Sequence, residues 1–197
     1  MNNMCPNLSG AETLVTHQKL FHMKTTAKTL IILAFVMLSA PGCKKLLDID
    51  FLADFVSSFD IGPTSALKNY SFSGTYILDP ETNSEYSKYA DKIKDVNVIA
   101  ITGKVTSIST PVTLTNSQVE VSKAGFTTVV LAADNINIFQ GFEYTYSNED
   151  NQYKNLAAIL RDPNPITVVY SGVASEQGVT YTYEIKFETK VTANPLE

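Results

Sequence analysis

Residues 179–193 alternate without a break. Val179, Tyr181, Tyr183, Ile185, Phe187, Val191 and Ala193 share one phase, with Thr189 among them. Thr180, Thr182, Glu184, Lys186, Glu188, Lys190 and Thr192 fill the other. A helix would scatter these residues around its circumference. A strand points successive side chains to opposite faces and so sorts them into one apolar and one polar side. The chain must therefore bury one face of a long strand against a second layer and leave the other in water. Residues 166–173, ITVVYSGV, read as another strand. Between the two, Glu176-Gln177-Gly178 supplies turn residues, and the spacing predicts a hairpin joining them.

The same period recurs upstream. Phe51, Ala53, Phe55 and Phe59 share a phase within residues 49–59, and Tyr70, Phe72, Gly74, Tyr76 and Leu78 form a second set. Residues 96–105 are a β-branched run. Residues 119–122 and 126–132 read as a hairpin around Lys123-Ala124-Gly125, and 136–146 as an extended segment bent at Gly141. Two stretches depart from this pattern. Asp79-Pro80-Glu81-Thr82-Asn83 is a helix-start signal, and Tyr86, Tyr89, Ala90 and Ile93 fall at helical spacing within 85–94. A second helix is predicted over 148–161, with Glu149 and Asp150 near its start and an apolar face of Leu156, Ala157, Ile159 and Leu160. Asp162-Pro163-Asn164-Pro165 stops it, because proline disfavours helical geometry in the residue before it. Short strands at this spacing, with turn signals between them, predict an all-β, mainly antiparallel fold. The expected architecture is an immunoglobulin-like two-sheet sandwich with two short helices over residues 49–197. The helices are expected to cap its open ends or cover a sheet edge.

Ahead of this domain stands a different kind of segment. Leu30-Ile31-Ile32-Leu33-Ala34-Phe35-Val36-Met37-Leu38 is too short for a spanning helix, which needs ~20 apolar residues, but has the length of a signal-peptide core. Lys24 and Lys28 precede it, and Ser39-Ala40-Pro41-Gly42-Cys43-Lys44-Lys45 follows. The whole resembles a bacterial lipoprotein signal. Gly42 and Cys43 fit the lipobox, Ala40 is smaller than usual, and Pro41 is unusual. The resemblance implies a signal peptide over 23–42, an upstream extension over 1–22 and a tether over 43–48; Met23 is a more natural start than Met1 because it leaves a compact leader. It also implies a diacylglyceryl group on the Cys43 thiol and an acylated amino terminus. Each buried methylene contributes ~0.8 kcal/mol, so acyl chains hold such a protein at a membrane that no protein segment enters. The alternative is an ordinary secretory leader cut near Ala40, with a free Cys43 thiol. The expected location is the cell envelope, at the outer membrane; the periplasmic and surface faces are both compatible with the residues after Cys43.

The chain as a whole also resembles small β-sandwich lipoproteins of unknown function from Bacteroidota. That likeness rests on the lipobox, the amphipathic helix after strand two, and the ending Lys190-Val191-Thr192-Ala193-Asn194-Pro195-Leu196. It implies no catalytic residues.

Composition narrows the function classes. Residues 43–197 carry 19 acids against 12 bases, a net charge of −7. No basic footprint for nucleic acid is visible. One cysteine remains, so an intrachain disulfide is excluded and the core must hold the fold. There is no histidine and no tryptophan in that region, which removes Ser-His-Asp and Cys-His catalysis and histidine-based metal sites. Ser84 and Ser87 beside Lys88 lack the spacing of a Ser-Lys site. The acids Glu143, Glu149, Asp150 and Glu184 are the available candidates for a carboxylate pair, against the simpler reading of solvated strand and helix-start acids. Asp48-Ile49-Asp50 and Asn148-Glu149-Asp150-Asn151 offer oxygen to calcium but lack the glycine and distal Glu of an EF-hand. Gly103-Lys104 is not a phosphate loop. No cofactor is expected, and no enzyme.

Aromatic rings are the more suggestive feature. Tyr144 and Tyr146 share a phase, as do Tyr181 and Tyr183. These four residues form the candidate binding surface, because exposed rings stack on sugars or anchor a protein partner. Cross-strand packing is the competing use of such rings. The expected function is a non-enzymatic envelope lipoprotein, a β-sandwich binding or structural module anchored through Cys43. The alternatives are a glycan-binding accessory protein of a nutrient-uptake system and an adhesin or pilus-type subunit.

Overall fold

The computed structural model describes residues 47–62 and 70–196. The extension over 1–22, the leader over 23–42, Cys43 and all of the tether except Leu47 and Asp48 lie outside the described residues.

The alternating C-terminal segment becomes β9 (Tyr181–Ala193), and every apolar residue of its inner phase is buried. Thr189 is also fully buried; its Oγ1 donates to the Ala53 carbonyl at 2.6 Å, which satisfies the one aliphatic hydroxyl in that row. β9 is central. On one side it pairs antiparallel with β1 (Ile49–Ile61), from Ile49↔Ala193 to Ile61↔Tyr181. On the other it pairs with β3 (Ile93–Ile108), whose register shifts at three points. β7 (Glu143–Ser147) completes this first sheet on the far edge of β3, in the order β1-β9-β3-β7. The second sheet contains β2 (Ser71–Leu78), β4 (Val112–Lys123), β5 (Phe126–Ala133) and β8 (Ile166–Ala174), in the order β2-β8-β4-β5. β6 (Ile136–Ile138) also pairs with β4, at Val112–Leu114, alongside the opposite end from β5. Every strand pair is antiparallel, and the inner faces of the two sheets enclose one apolar core. The expected all-β two-sheet sandwich is the observed architecture.

The hairpin predicted between 166–173 and 179–193 does not form. β8 and β9 belong to opposite sheets, and the chain crosses the sandwich between them. Their inner residues meet face to face: the Tyr170 and Tyr183 rings stack at 4.3 Å with a 26° interplanar angle. Alternation fixes which face of a strand is apolar, and two apolar faces are buried equally well side by side or across a core. The extended segment over 136–146 divides in the same way, into β6 in one sheet and β7 in the other.

Both helices are shorter than expected. In place of a helix over 85–94 stand a 3-10 turn at Pro80–Thr82, a single helical turn α1 (Ser84–Ser87) and a second 3-10 turn at Ala90–Lys92. The Asn83 side chain caps the Glu85 and Tyr86 N–H groups at 3.0 Å each. Ile93 is then taken by the sheet, opposite Ala193, which ends any helix. The second helix, α2, runs Lys154–Leu160 rather than from residue 148. Asn148 instead bonds the edge of β3, its backbone N–H to the Ile99 carbonyl and its Nδ2 to the Val98 carbonyl at 2.7 Å. Asp150 and Asn151 adopt φ of 54° and 57°, left-handed geometry that no helix start accommodates. Glu149 and Asp150 therefore sit in a loop, away from the helix dipole. The two helical pieces are joined through Tyr86, whose buried hydroxyl donates to the Leu160 carbonyl at 2.7 Å and so satisfies an acceptor in the last turn of α2.

Candidate functional site

Alternation places Tyr144 and Tyr146 on the inward phase of β7, and Tyr181 and Tyr183 on the inward phase of β9. Because β9 is central, Tyr181 and Tyr183 are covered from both sides, at 3% and 2% exposure. They are therefore not part of a surface, which corrects half of the expected binding face. They belong to a buried phenol cluster. Tyr181 donates to the Tyr170 hydroxyl at 3.3 Å, Tyr183 stacks on Tyr170, and the Tyr183 and Tyr144 hydroxyls are hydrogen-bonded to each other. Burial raises the ionisation of Tyr170, Tyr181, Tyr183 and Tyr144 above the ordinary tyrosine range, because a phenolate has little water to stabilise it there. These hydroxyls remain neutral donors at any physiological pH.

β7 is an edge strand, so its inward rings meet solvent at the open side of the sandwich. Tyr144 is half-buried and Tyr146 is 42% exposed. The loop before β7 extends this line in the other direction. Phe139, 48% exposed, packs edge-on against Phe142 at 5.5 Å; Phe142 lies 5.7 Å from Tyr144, and Tyr144 lies 5.2 Å from Tyr146. Four rings in continuous contact thus run along one sheet edge, with the outer two presented to water. The loop that carries Phe139 is held to β3 by backbone bonds, Gly141 N–H to the Val105 carbonyl at 3.0 Å and Val105 N–H to the Phe142 carbonyl at 2.8 Å. The row is fixed by the sheet rather than free to collapse. Sequence reasoning did not single out Phe139, which precedes the alternating Phe142-Tyr144-Tyr146 set by three residues and lies out of phase with it.

The candidate acids are distributed differently. Glu143 and Glu184 fall in one cross-strand row on the outer face of the first sheet, each opposite Lys104 of β3. Two strand spacings separate them by about 10 Å. Lys104 stands between and pairs with Glu143 at 3.2 Å, in a depression of about 320 Å3. A lysine standing between the two acids keeps them from forming a directly facing carboxylate pair. Glu149 and Asp150 are exposed on the loop before α2. Asp48 binds Lys94 at 2.9 Å and Asp50 binds Lys190 at 2.8 Å, so both acids of the Asp48-Ile49-Asp50 triplet are engaged by lysines. Lys88 pairs with Glu85 at 2.7 Å. Among the described residues, no group of three or more His, Cys, Asp and Glu side chains converges as a metal site would require. No helix among them is long and apolar enough to cross a membrane.

Comparison with protein-family models, with curated proteins and with solved structures finds no match.

Proposed function

We propose that this chain is a non-enzymatic cell-envelope lipoprotein, held at the outer membrane by acyl chains on Cys43, whose sandwich presents an aromatic edge to a glycan. The observation that carries the binding part is the row Phe139–Phe142–Tyr144–Tyr146, rigidly based on β3 and β7 and exposed at its ends. Rings offered in a line suit the apolar C–H faces of successive sugars, and the exposed Tyr146 supplies a hydroxyl for polar contact. The anchor reading is supported by the apolar run over 30–38 and by Gly42-Cys43. The non-enzymatic reading is supported by the lack of histidine in residues 43–197.

Two measurements test the two parts separately. Metabolic fatty-acid labelling should mark the wild-type chain and leave Cys43→Ala unlabelled and released from membranes. On a glycan array the wild type should give hits that Tyr146→Ala weakens about tenfold, equivalent to about 1.4 kcal/mol. An array without a hit above background removes the glycan while leaving the anchor standing.

A further inference from the structure

The described residues contain nine cations against eighteen acids. With acids in twofold excess, cations are expected to find partners, and seven do: Lys88, Lys92, Lys94, Lys104, Lys123, Lys186 and Lys190 each lie against a carboxylate. Lys154 and Arg161 are the two among the described residues that do not. Both line the same cleft, a cavity of about 730 Å3 between α2 and the outer face of β3 and β9, which is within the size range of small-ligand sites. Their placement follows from the helix. Tyr153, Leu156, Ile159 and Leu160 turn into the core, so Lys154, Ala157, Ala158 and Arg161, spaced i, i+3, i+4 and i+7, form the opposite face. The two charges are separated by about 10 Å along the axis, with two small side chains as the floor between them.

We propose that this cleft binds a carboxylate-bearing oligosaccharide, with Lys154 and Arg161 each taking an acidic group and the far wall taking hydroxyls. The site is distinct from the aromatic edge and does not depend on it. The cations favour an anion, and their separation favours one with two charged groups rather than a compact ion. The far wall argues against a bare inorganic anion. Asp95 and Asn97 stand there exposed, and the acid closes onto neither Lys154 nor Arg161 despite sharing their cleft. A carboxylate beside carboxamides accepts from hydroxyls, which a sugar offers and a bare inorganic anion does not. Asn148 adds a specific acceptor. Its Nδ2 donates to the Val98 carbonyl at 2.7 Å, which fixes the amide, and its buried Oδ1 has no donor among the described residues. A buried acceptor without a donor is an unmet hydrogen-bonding capacity, and Asn148 lines this cleft. Ala157 and Ala158 let the C–H face of a sugar approach the helix backbone closely.

The test uses the full chain and trigalacturonate, with its methyl ester as a ligand of the same sugars without the charge, and inorganic sulfate as the simplest anion. Calorimetric titration should show binding of trigalacturonate that weakens with added salt. The methyl ester should bind at least tenfold more weakly, and sulfate should not compete at equal concentration. Lys154→Ala and Arg161→Ala should each weaken binding about tenfold and the double variant should abolish it. Both cations are exposed, so the melting temperatures of these variants should match the wild type. No binding of trigalacturonate, equal binding of its ester, or wild-type binding by the double variant would overturn the proposal. Sulfate binding as tight as the trimer would reduce the cleft to a simple anion site and overturn the saccharide assignment.

Discussion

Single residues carry the tightest constraints where the two sheets meet. Gly103 on β3 lies beneath the Tyr144 and Tyr183 hydroxyls. A Cβ there would collide with Tyr183 Oη and sit 2.8 Å from Tyr144 Cζ. Tyr183 is buried and stacked on Tyr170, so its ring has no free direction to move. Gly103→Ala should therefore destabilise the fold by ~1–3 kcal/mol, the usual cost of overpacking, read as a lower denaturant midpoint at unchanged slope. A midpoint equal to wild type would mean that the phenol cluster is looser than its geometry. Ring-to-ring packing also explains the fate of the tyrosine pairs. Tyr144 and Tyr183 are bonded partners, yet one lies at a sheet edge and the other in a central strand. Nothing local to either residue distinguishes them; only the number of neighbouring strands does.

At the level of elements, the turns between adjacent strands follow local chemistry. The β4–β5 hairpin closes with Lys123 opposite Phe126 and two residues between, Ala124 at φ 48° and Gly125 at φ 82°. That is the positive-φ pair a two-residue hairpin demands, and glycine takes it without strain whereas alanine does not. Ala124→Asn places a residue there that tolerates left-handed geometry and should raise stability by ~0.5–1 kcal/mol, seen as an upward shift in melting temperature. An unchanged or lower value would show that strain at Ala124 is absorbed elsewhere. The hairpin is further secured by Lys123, whose Nζ donates to the Asp162 carbonyl at 2.9 Å and the Asn164 carbonyl at 2.8 Å and pairs with the Asp162 carboxylate at 2.9 Å. Backbone N–H donation from Asn164, followed by the Lys123 ammonium, holds the Asp162 carboxyl below the usual range. The segment that stops α2 is thereby fastened to the tip of another element. β4 shows the opposite case. Its second half was legible, but Asn116 at φ 48° and a register shift between Thr115 and Gln118 break the alternation and conceal the first half.

For the molecule as a whole, buried phenols set the response to pH. Burial is the leading cause that raises the ionisation of Tyr86, Tyr144, Tyr170, Tyr181 and Tyr183. In the unfolded chain tyrosine ionises near ~10, whereas in the folded chain these groups hold their protons to higher pH. Below that point both states are protonated and stability is fully present. Above it the unfolded state releases protons first, and each such tyrosine removes about 1.4 kcal/mol of stability per pH unit until its own folded ionisation is reached. Unfolding free energy should therefore be flat with respect to these groups through neutral pH and fall steeply in the alkaline range. The share of tyrosinate absorbance that belongs to these five buried phenols should appear together with loss of sheet circular dichroism. Absorbance accounting for all ten tyrosines ahead of any structural change would show that the cluster admits water. The charged outer face of the first sheet contributes less. Pairs such as Lys186–Glu188 at 2.6 Å and Lys190–Asp50 at 2.8 Å lie in water, where each is worth ~0–1 kcal/mol.

The amino-acid order alone determined the sidedness of the strands: Ala53, Phe55 and Phe59 inward on β1, the whole inner phase of β9, and the turn at Ala124-Gly125. Each follows from a rule that acts over a few residues, the two-residue repeat of a strand or the φ that a turn requires. Tertiary structure decided which strands are neighbours, and with that the site. Whether β8 lies beside β9 or across from it, whether Ile93 extends a helix or joins a sheet, and whether a tyrosine ring faces water or another ring all depend on groups distant in the chain. So does the cleft beside α2, where Asp95, Asn148 and Arg161 are brought together from three separate segments. Local periodicity carries no information about such partners, because the free energy that selects them arises only when the two sheets close on a common core.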